Sequence, residues 1–242
     1  MARPPRAFPR RVAVVVPALD EAGAIGAVVR GARARPGIAR VVVVDDGSTD
    51  GTGELARRAG AVVVRHPRPR GVGAALRTGF ARARALGCDA IVVMGGDGQD
   101  RAAEIPRLLA ALGRDRDVVQ GSRWLRGGRV VNIPLFRRVT TLLHSALFTL
   151  AAGRRVTDGT NGFRAFRTAL LDRIDLAPRW LDSYELEPYL YFRALAGPFR
   201  TAEVPVTKWY PADGRGYTKM KPFRDWWRIL KPLVLLGLRL RR

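Results

Sequence analysis

The chain has 242 residues and a formal net charge of +22, from 43 basic and 21 acidic side chains. That length can bury a full core within the usual range of one domain, and no internal repeat or low-complexity linker divides it. A single cysteine, Cys88, excludes an intramolecular disulfide and a cysteine-rich zinc site, which suits a reducing compartment and a core role for the thiol.

Met1 to Arg11 is basic and broken by proline, and the apolar run behind it is too short and acid-ended for a signal peptide, so no secretion is expected. Val12 to Val16 reads as a strand that ends in Pro17-Ala-Leu-Asp-Glu21, followed by a helix near 21–34. A strand near 40–45 runs into Asp-Asp-Gly-Ser-Thr-Asp-Gly-Thr, residues 45–52. A β-branched run without alternation suits an interior strand of a parallel sheet, and carboxylates at its C-terminal end fall where open α/β sheets bind ligands.

Next come a helix near 52–59, a strand near 61–65, a helix near 72–86 and a strand near 89–94 that ends in Gly95-Gly-Asp-Gly-Gln-Asp100. A helix near 101–112 and a strand near 116–121 complete the series. Such β/α alternation with short connections predicts a mainly parallel sheet. Three buried strands then deliver acids to one sheet edge, which fits a polar ligand such as a nucleotide. Any one of these clusters alone equally makes a turn or a helix cap.

Beyond residue 122 the pattern changes to a helical stretch at 134–152, a Gly-rich turn at 158–162, a helix near 184–196, a strand near 200–206 and a basic loop into a last helix. No apolar stretch reaches the roughly 20 residues needed to span a bilayer. Two segments read as interfacial. Leu142 to Ala152 is bracketed by Arg137, Arg138, Arg154 and Arg155, and Trp226 to Leu240 mixes tryptophan and leucine with Arg228, Lys231 and Arg239. Both patterns also suit ordinary core-facing helices with solvated arginines.

The charge fits nucleic acid, anionic headgroups or a phosphorylated substrate. Only four of the 43 basic residues are lysine, so charge alone says little, and no nucleic-acid module is recognisable. No metal-ligand spacing connects His66 and His144, and both read as structural.

Six segments carry a family resemblance: Pro17-Ala-Leu-Asp-Glu21, the Val-Asp-Asp-Gly-Ser run, Gly71-Val-Gly-Ala-Ala-Leu-Arg-Thr-Gly79, Asp97-Gly-Gln, Gly121-Ser-Arg123 and Thr157-Asp-Gly-Thr-Asn-Gly-Phe-Arg164. Their order resembles family 2 glycosyltransferases, nearest the branch of dolichol-phosphate mannose synthases and related polyprenyl-phosphate glycosyltransferases, across residues 11–230. The resemblance implies an α/β, GT-A (Rossmann-like) fold with C-terminal interfacial helices. It also implies one domain over 1–242: a nucleotide-binding half at 11–122, an acceptor half at 123–221 and a basic amphipathic helix at 222–242.

By the same resemblance Pro17, Leu19, Glu21, Val44 and Asp46, with Asp45 alongside and Gly96 nearby, hold the nucleotide. Asp20 stands where the family often has Asn. Asp97 and Gln99 are the implied ligands of Mg²⁺ or Mn²⁺, although Gly95 stands where the branch usually has a first carboxylate. Asp100 could substitute for it or cap the next helix. Arg123, Arg164, Arg215 and Lys219 are the implied phosphate-binding residues, and Asp97, Asp158 and Glu187 the implied catalytic ones. Glu185 and Glu187 share a face only in an extended segment, so in a helix one alone points inward, and Glu187 is preferred.

The expected activity is inverting transfer of a sugar from a nucleoside diphosphate sugar to a polyprenyl phosphate, with no nucleic-acid partner, by a protein peripheral on the cytoplasmic face of a membrane. Two alternatives stand beside it: a soluble or polysaccharide acceptor, and a nucleotide-sugar-binding protein weakened by the glycine at position 95.

Overall fold

The computed structural model describes residues 8–211 and 224–237. Its main sheet joins seven strands in the order β3-β2-β1-β4-β7-β5-β8. These are β1 (Val12–Ala18), β2 (Ile38–Asp45), β3 (Val62–Arg65), β4 (Ala90–Val93), β5 (Val118–Ser122), β7 (Arg164–Arg167) and β8 (Thr201–Pro205). Only β7 runs against the rest. A small second sheet pairs β6 (Arg129–Val131) in parallel with β9 (Thr207–Trp209).

Helices cover both faces, which is why β1 and β2 are valine-rich without alternation. Val12, Val14 and Val16 face α1 (Ala22–Arg33), α2 (Thr52–Arg58) and α4 (Ile105–Gly113), which contribute Ile25, Val29, Ala56 and Leu108 to that layer. Ala13 and Val15 face the other layer, where α3 (Val72–Ala85), α5 (Leu135–Ala152), α6 (Leu186–Ala196) and α7 (Arg224–Gly237) supply Leu76, Phe80, Phe148, Leu190 and Leu233. Gly79 lets α3 lie directly on β1, because a Cβ there would collide with Val15.

Each predicted element up to residue 122 is present, with shifts at its ends. Strand β7 departs from the sequence reading. Arg-Ala-Phe-Arg lacks β-branched residues and carries no strand signal, yet it fills the slot between β4 and β5. The paired β6 and β9 were equally unannounced, each having only three residues.

Helix α5 buries Thr141, His144, Ser145 and Phe148, while Leu135, Phe136, Val139, Leu143, Leu147 and Leu150 are exposed. Helix α7 packs on α5 and α6 and buries Leu233 and Leu236, so its inner face is an ordinary core face. No helix among the described residues is long and apolar enough to cross a membrane.

Candidate active site

A cleft of about 460 Å³ opens over the C-terminal ends of β1, β2 and β4. One wall contains Pro17, Leu19 and Glu21 after β1, Asp46 after β2, and Gly96, Asp97 and Gln99 after β4. Arg123, Arg164 and Glu187 lie across it. Residues far apart in sequence thus converge where an α/β sheet presents its ligand edge.

The Asp-Gly-Ser-Thr run acts mainly as a brace. The Ser48 and Thr52 hydroxyls accept the backbone N–H groups of Asp20 and Glu21 at 2.9 and 2.7 Å, clamping the end of β1 to that of β2. Asp46 accepts N–H bonds from Arg70 at 3.0 Å and Gly71 at 2.8 Å and lies 2.6 Å from His66 Nδ1. His66 Nε2 in turn meets the Thr78 hydroxyl at 3.0 Å. Gly71 has φ +103°, and a Cβ there would run into the Asp182 carbonyl.

Two expected nucleotide residues lie beneath this wall. Val44 is fully buried in the core because a central strand directs it there, so its side chain is closed to a ligand. Asp45 is 1% exposed and accepts the Ser48 N–H at 2.8 Å, with Arg65 Nε 3.6 Å away. It closes the turn instead of facing the cleft.

The expected metal residues surround a lysine. Asp97 Oδ1 accepts the Gln99 N–H at 3.0 Å, Asp100 Oδ2 accepts the Gly95 N–H at 2.9 Å, and Asp100 Oδ1 lies 2.8 Å from Lys208 Nζ. Asp100 makes no helix cap, since the following helical turn starts from Arg101 without a side-chain cap. Burial lowers the Lys208 pKa, but the charges of Asp100 and Asp97 outweigh it and raise the ammonium above its ordinary range.

A Cβ at Gly95 would lie 3.0 Å from Asp97 Oδ1 and 3.4 Å from Asp100 Oδ2, so position 95 does face both acids. Among the described residues no three His, Cys, Asp or Glu side chains gather as a metal would require. Asp97, Asp100 and the Gln99 amide offer too few oxygens to hold a divalent ion by themselves, and Lys208 already pairs with Asp100.

Across the cleft, Arg123 and Asp158 form a closed pair. Arg123 Nε and Nη2 donate to the two Asp158 oxygens at 2.7 Å each, the Arg123 N–H adds a bond at 3.0 Å, and Nη1 donates to the Tyr210 hydroxyl at 2.8 Å. Thr160 takes a further bond from Nη2. Burial alone would raise the Asp158 carboxyl, yet Arg123 holds it below the usual carboxylate range.

A fully buried, low-pKa carboxylate is a poor proton acceptor, and each side-chain nitrogen of Arg123 is already engaged, so the pair positions the motif around it.

Arg164 donates to the carbonyls of Glu187 and Asn161 at 2.8 Å each, and its Nη2 lies 3.7 Å from Glu187 Oε1. Glu187 is in the cleft wall. Glu185 turns toward α7, with Oε1 3.7 Å from Arg228 Nε, and burial raises its carboxyl. Arg215 and Lys219 lie outside the described residues.

Sequence reasoning missed Lys208, Tyr184, Tyr210 and Arg228 as cleft residues, and His66 as the brace of Asp46. Lys208 did leave a signal, being one of only four lysines in so arginine-rich a chain.

The Glycosyl transferase family 2 pattern matches residues 13–175. An undecaprenyl-phosphate mannosyltransferase of Micrococcus luteus is 34% identical over 202 residues, covering 81% of this chain and 83% of that one. A polyprenol monophosphomannose synthase of Mycolicibacterium smegmatis is 33% identical, covering 82% and 77%. A dolichyl-phosphate hexose transferase of Haloferax volcanii is 33% identical, covering 92% of each. Among solved structures, glucosyl-3-phosphoglycerate synthase from Mycobacterium tuberculosis, in complex with Mn²⁺, UDP and glucosyl-3-phosphoglycerate, superposes with a TM-score of 0.69 at 21% identity. It covers 96% of this chain and 81% of that one, a likeness that shows the GT-A fold. By motif order, fold and kinship this chain is a glycosyltransferase and belongs to family 2.

Proposed function

We propose that this enzyme moves a sugar, with inversion, from a nucleoside diphosphate sugar to a polyprenyl phosphate at the cytoplasmic surface of a membrane. The observation that carries the reading is α5. It contributes Arg137 to the cleft and exposes Leu135, Phe136, Val139, Leu143, Leu147 and Leu150 along its outer side, with Arg154 and Arg155 just beyond its end. An outward apolar row flanked by arginine suits the headgroup boundary of an anionic membrane. A helix shared between cleft and apolar surface would bring the active site to a lipid-borne acceptor.

The chemistry follows from an acceptor that arrives ionised, since a phosphate monoester has its second pKa near ~6. A phosphate oxygen attacks the anomeric carbon opposite the diphosphate. The bond from that carbon to the diphosphate oxygen breaks, its electron pair leaves with the nucleoside diphosphate, and configuration inverts. No base is required, in keeping with a site whose Asp158 is locked to Arg123. Arg137, Arg164 and Arg228, all lining the cleft, would supply positive charge on the acceptor side, and the cleft carboxylates Glu187 and Asp97 would accept hydroxyl hydrogen bonds. The relatives named above act on polyprenyl or dolichyl phosphates, which favours the same acceptor class here. In this reading the half ending at residue 122 supplies most of the donor side and the half beyond it most of the acceptor side. Structural relatives bind Mn²⁺ or Mg²⁺ with UDP, whereas no three acidic, His or Cys side chains gather here among the described residues.

The test is transfer of labelled sugar from a panel of UDP and GDP sugars to a polyprenyl phosphate in vesicles, beside the matching polyprenol. Product formed only with the phosphate is expected. Transfer to water-soluble acceptors, with none to lipid, would overturn the proposal.

A further inference from the structure

We propose that Lys208 is the cation that holds the donor diphosphate, in a cleft whose structural relatives take up Mn²⁺ together with UDP. The inference rests on reading the cleft as a nucleotide-sugar site and goes beyond it by making donor binding independent of metal.

Three observations converge. First, the acidic set after β4 lacks a member. Gly95 places no side chain beside Asp97 and Asp100, although the position faces both, since a Cβ there would press on their oxygens at 3.0 and 3.4 Å. Second, a fixed cation is already there. Lys208 Nζ lies 2.8 Å from Asp100 Oδ1, and the residue belongs to the cleft wall beside Asp97 and Gln99. Third, the backbone carrying it is tied to the same loop. Trp209 N–H donates to the Gln99 carbonyl at 3.0 Å, Thr207 N–H and hydroxyl donate to Glu104 at 2.7 and 3.0 Å, and Lys208 sits opposite Val130 in the small sheet.

An ammonium has three N–H donors, and Asp100 is its one hydrogen-bond partner among the described residues, so donors remain for phosphate oxygens. Its side chain is only 13% exposed, which keeps the charge in a weakly screened place where developing negative charge on the leaving group is stabilised most. The small sheet formed by β6 and β9 thereby acquires a purpose, since it carries this lysine to the loop after β4. A lysine kept only to neutralise Asp100 would leave diphosphate binding unchanged when replaced by an uncharged isostere.

The experiment is calorimetric titration with UDP, GDP, CDP, ADP and dTDP, and with the parent nucleosides, each in EDTA and in Mn²⁺. One diphosphate is expected to bind with a Kd that differs by no more than about threefold between the two buffers. Lys208→Met should weaken that diphosphate by roughly 10- to 100-fold in EDTA and leave the nucleoside unchanged, the loss of one charge-assisted contact. The double variant Gly95→Asp with Lys208→Met should become Mn²⁺-dependent. Wild-type binding that is lost in EDTA and restored by Mn²⁺ overturns the inference, as does a Lys208→Met variant that loses nucleoside and diphosphate equally. Failure of every diphosphate in both buffers overturns the nucleotide-sugar reading itself, so the two failures are distinct.

Discussion

Each side of the cleft is built around one buried carboxylate and a cation paired with it, Arg123 buried and Lys208 largely so, and the two pairs differ in how much they leave undone. On the acceptor side Arg123 and Asp158 exhaust one another, through two side-chain bonds of 2.7 Å, a backbone bond, Tyr210 and Thr160. On the donor side Lys208 and Asp100 share a single bond of 2.8 Å. The first pair is complete as a structural joint, whereas the second keeps donors for a ligand. A buried ion pair is thus a functional candidate in proportion to its unfinished hydrogen bonds, and completeness argues for a positioning role.

Breaking the closed pair should give the largest effect. Asp158→Asn leaves the Arg123 guanidinium buried without its counter-charge, and loss of one partner of such a pair costs about 3–5 kcal/mol. Asp100→Asn should cost less, roughly 1–3 kcal/mol, because the Lys208 ammonium retains the nearby charge of Asp97. Urea unfolding of both variants measures the difference, and equal losses would dissolve the distinction drawn between the pairs.

A second test concerns His144, packed beside the acceptor-side pair. Its ring lies against the Gly159 backbone, 5.9 Å from the Phe148 ring, and burial lowers its pKa from 6.5 to about 4. Between those values the unfolded chain takes up a proton that the folded chain refuses. The stabilising contribution is therefore whole above the unfolded pKa near 6.5 and drains away as pH falls toward the folded value near 4. It amounts to about 3 kcal/mol in full. His144→Leu should flatten the dependence of unfolding free energy on pH in that window, and an unchanged slope would remove His144 as its source.

The donor side is tight in its backbone more than in its charges. Gly79→Ala sets a methyl group of α3 against Val15 of β1, and overpacking of this kind costs about 1–3 kcal/mol. The loss should appear in thermal unfolding of the free enzyme. A neutral variant would mean that α3 can lift off the sheet cheaply.

Legibility in the sequence divided along the same line. The donor wall could be read because its parts are local: Val41 to Val44 announce a strand, and Asp46, Gly96 and Asp97 fall at strand ends by chain continuity. What closes each wall depends on pairs separated by 35 to 108 positions, Arg123 with Asp158 on the acceptor side and Asp100 with Lys208 on the donor side, which no local periodicity encodes. A motif names Val44 and Asp45 without naming the directions in which they point, and both side chains are buried. The antiparallel β7 was hidden by its own composition, and burial of Arg164 depends on carbonyls that only the folded chain presents.

The smallest expected effect on stability tests the outer side of the acceptor half. Leu143, Leu147 and Leu150 are 58%, 41% and 81% exposed on α5, whereas Phe148 on the same helix is fully buried. Replacing the three leucines by serine should change unfolding free energy by only about 0.5 kcal/mol each, as expected for surface positions. The same variant should bind anionic vesicles at least roughly tenfold more weakly, because each lost side chain would otherwise bury apolar area in the headgroup boundary. Co-sedimentation with vesicles of stated anionic content, set beside sugar transfer to a short water-soluble acceptor phosphate, separates the two roles of the helix. Loss of vesicle binding with transfer to the soluble phosphate retained would assign the outer row to the membrane and Arg137 to the cleft. Unaltered vesicle binding would leave the exposed leucines without a membrane role and move the docking surface elsewhere on the molecule.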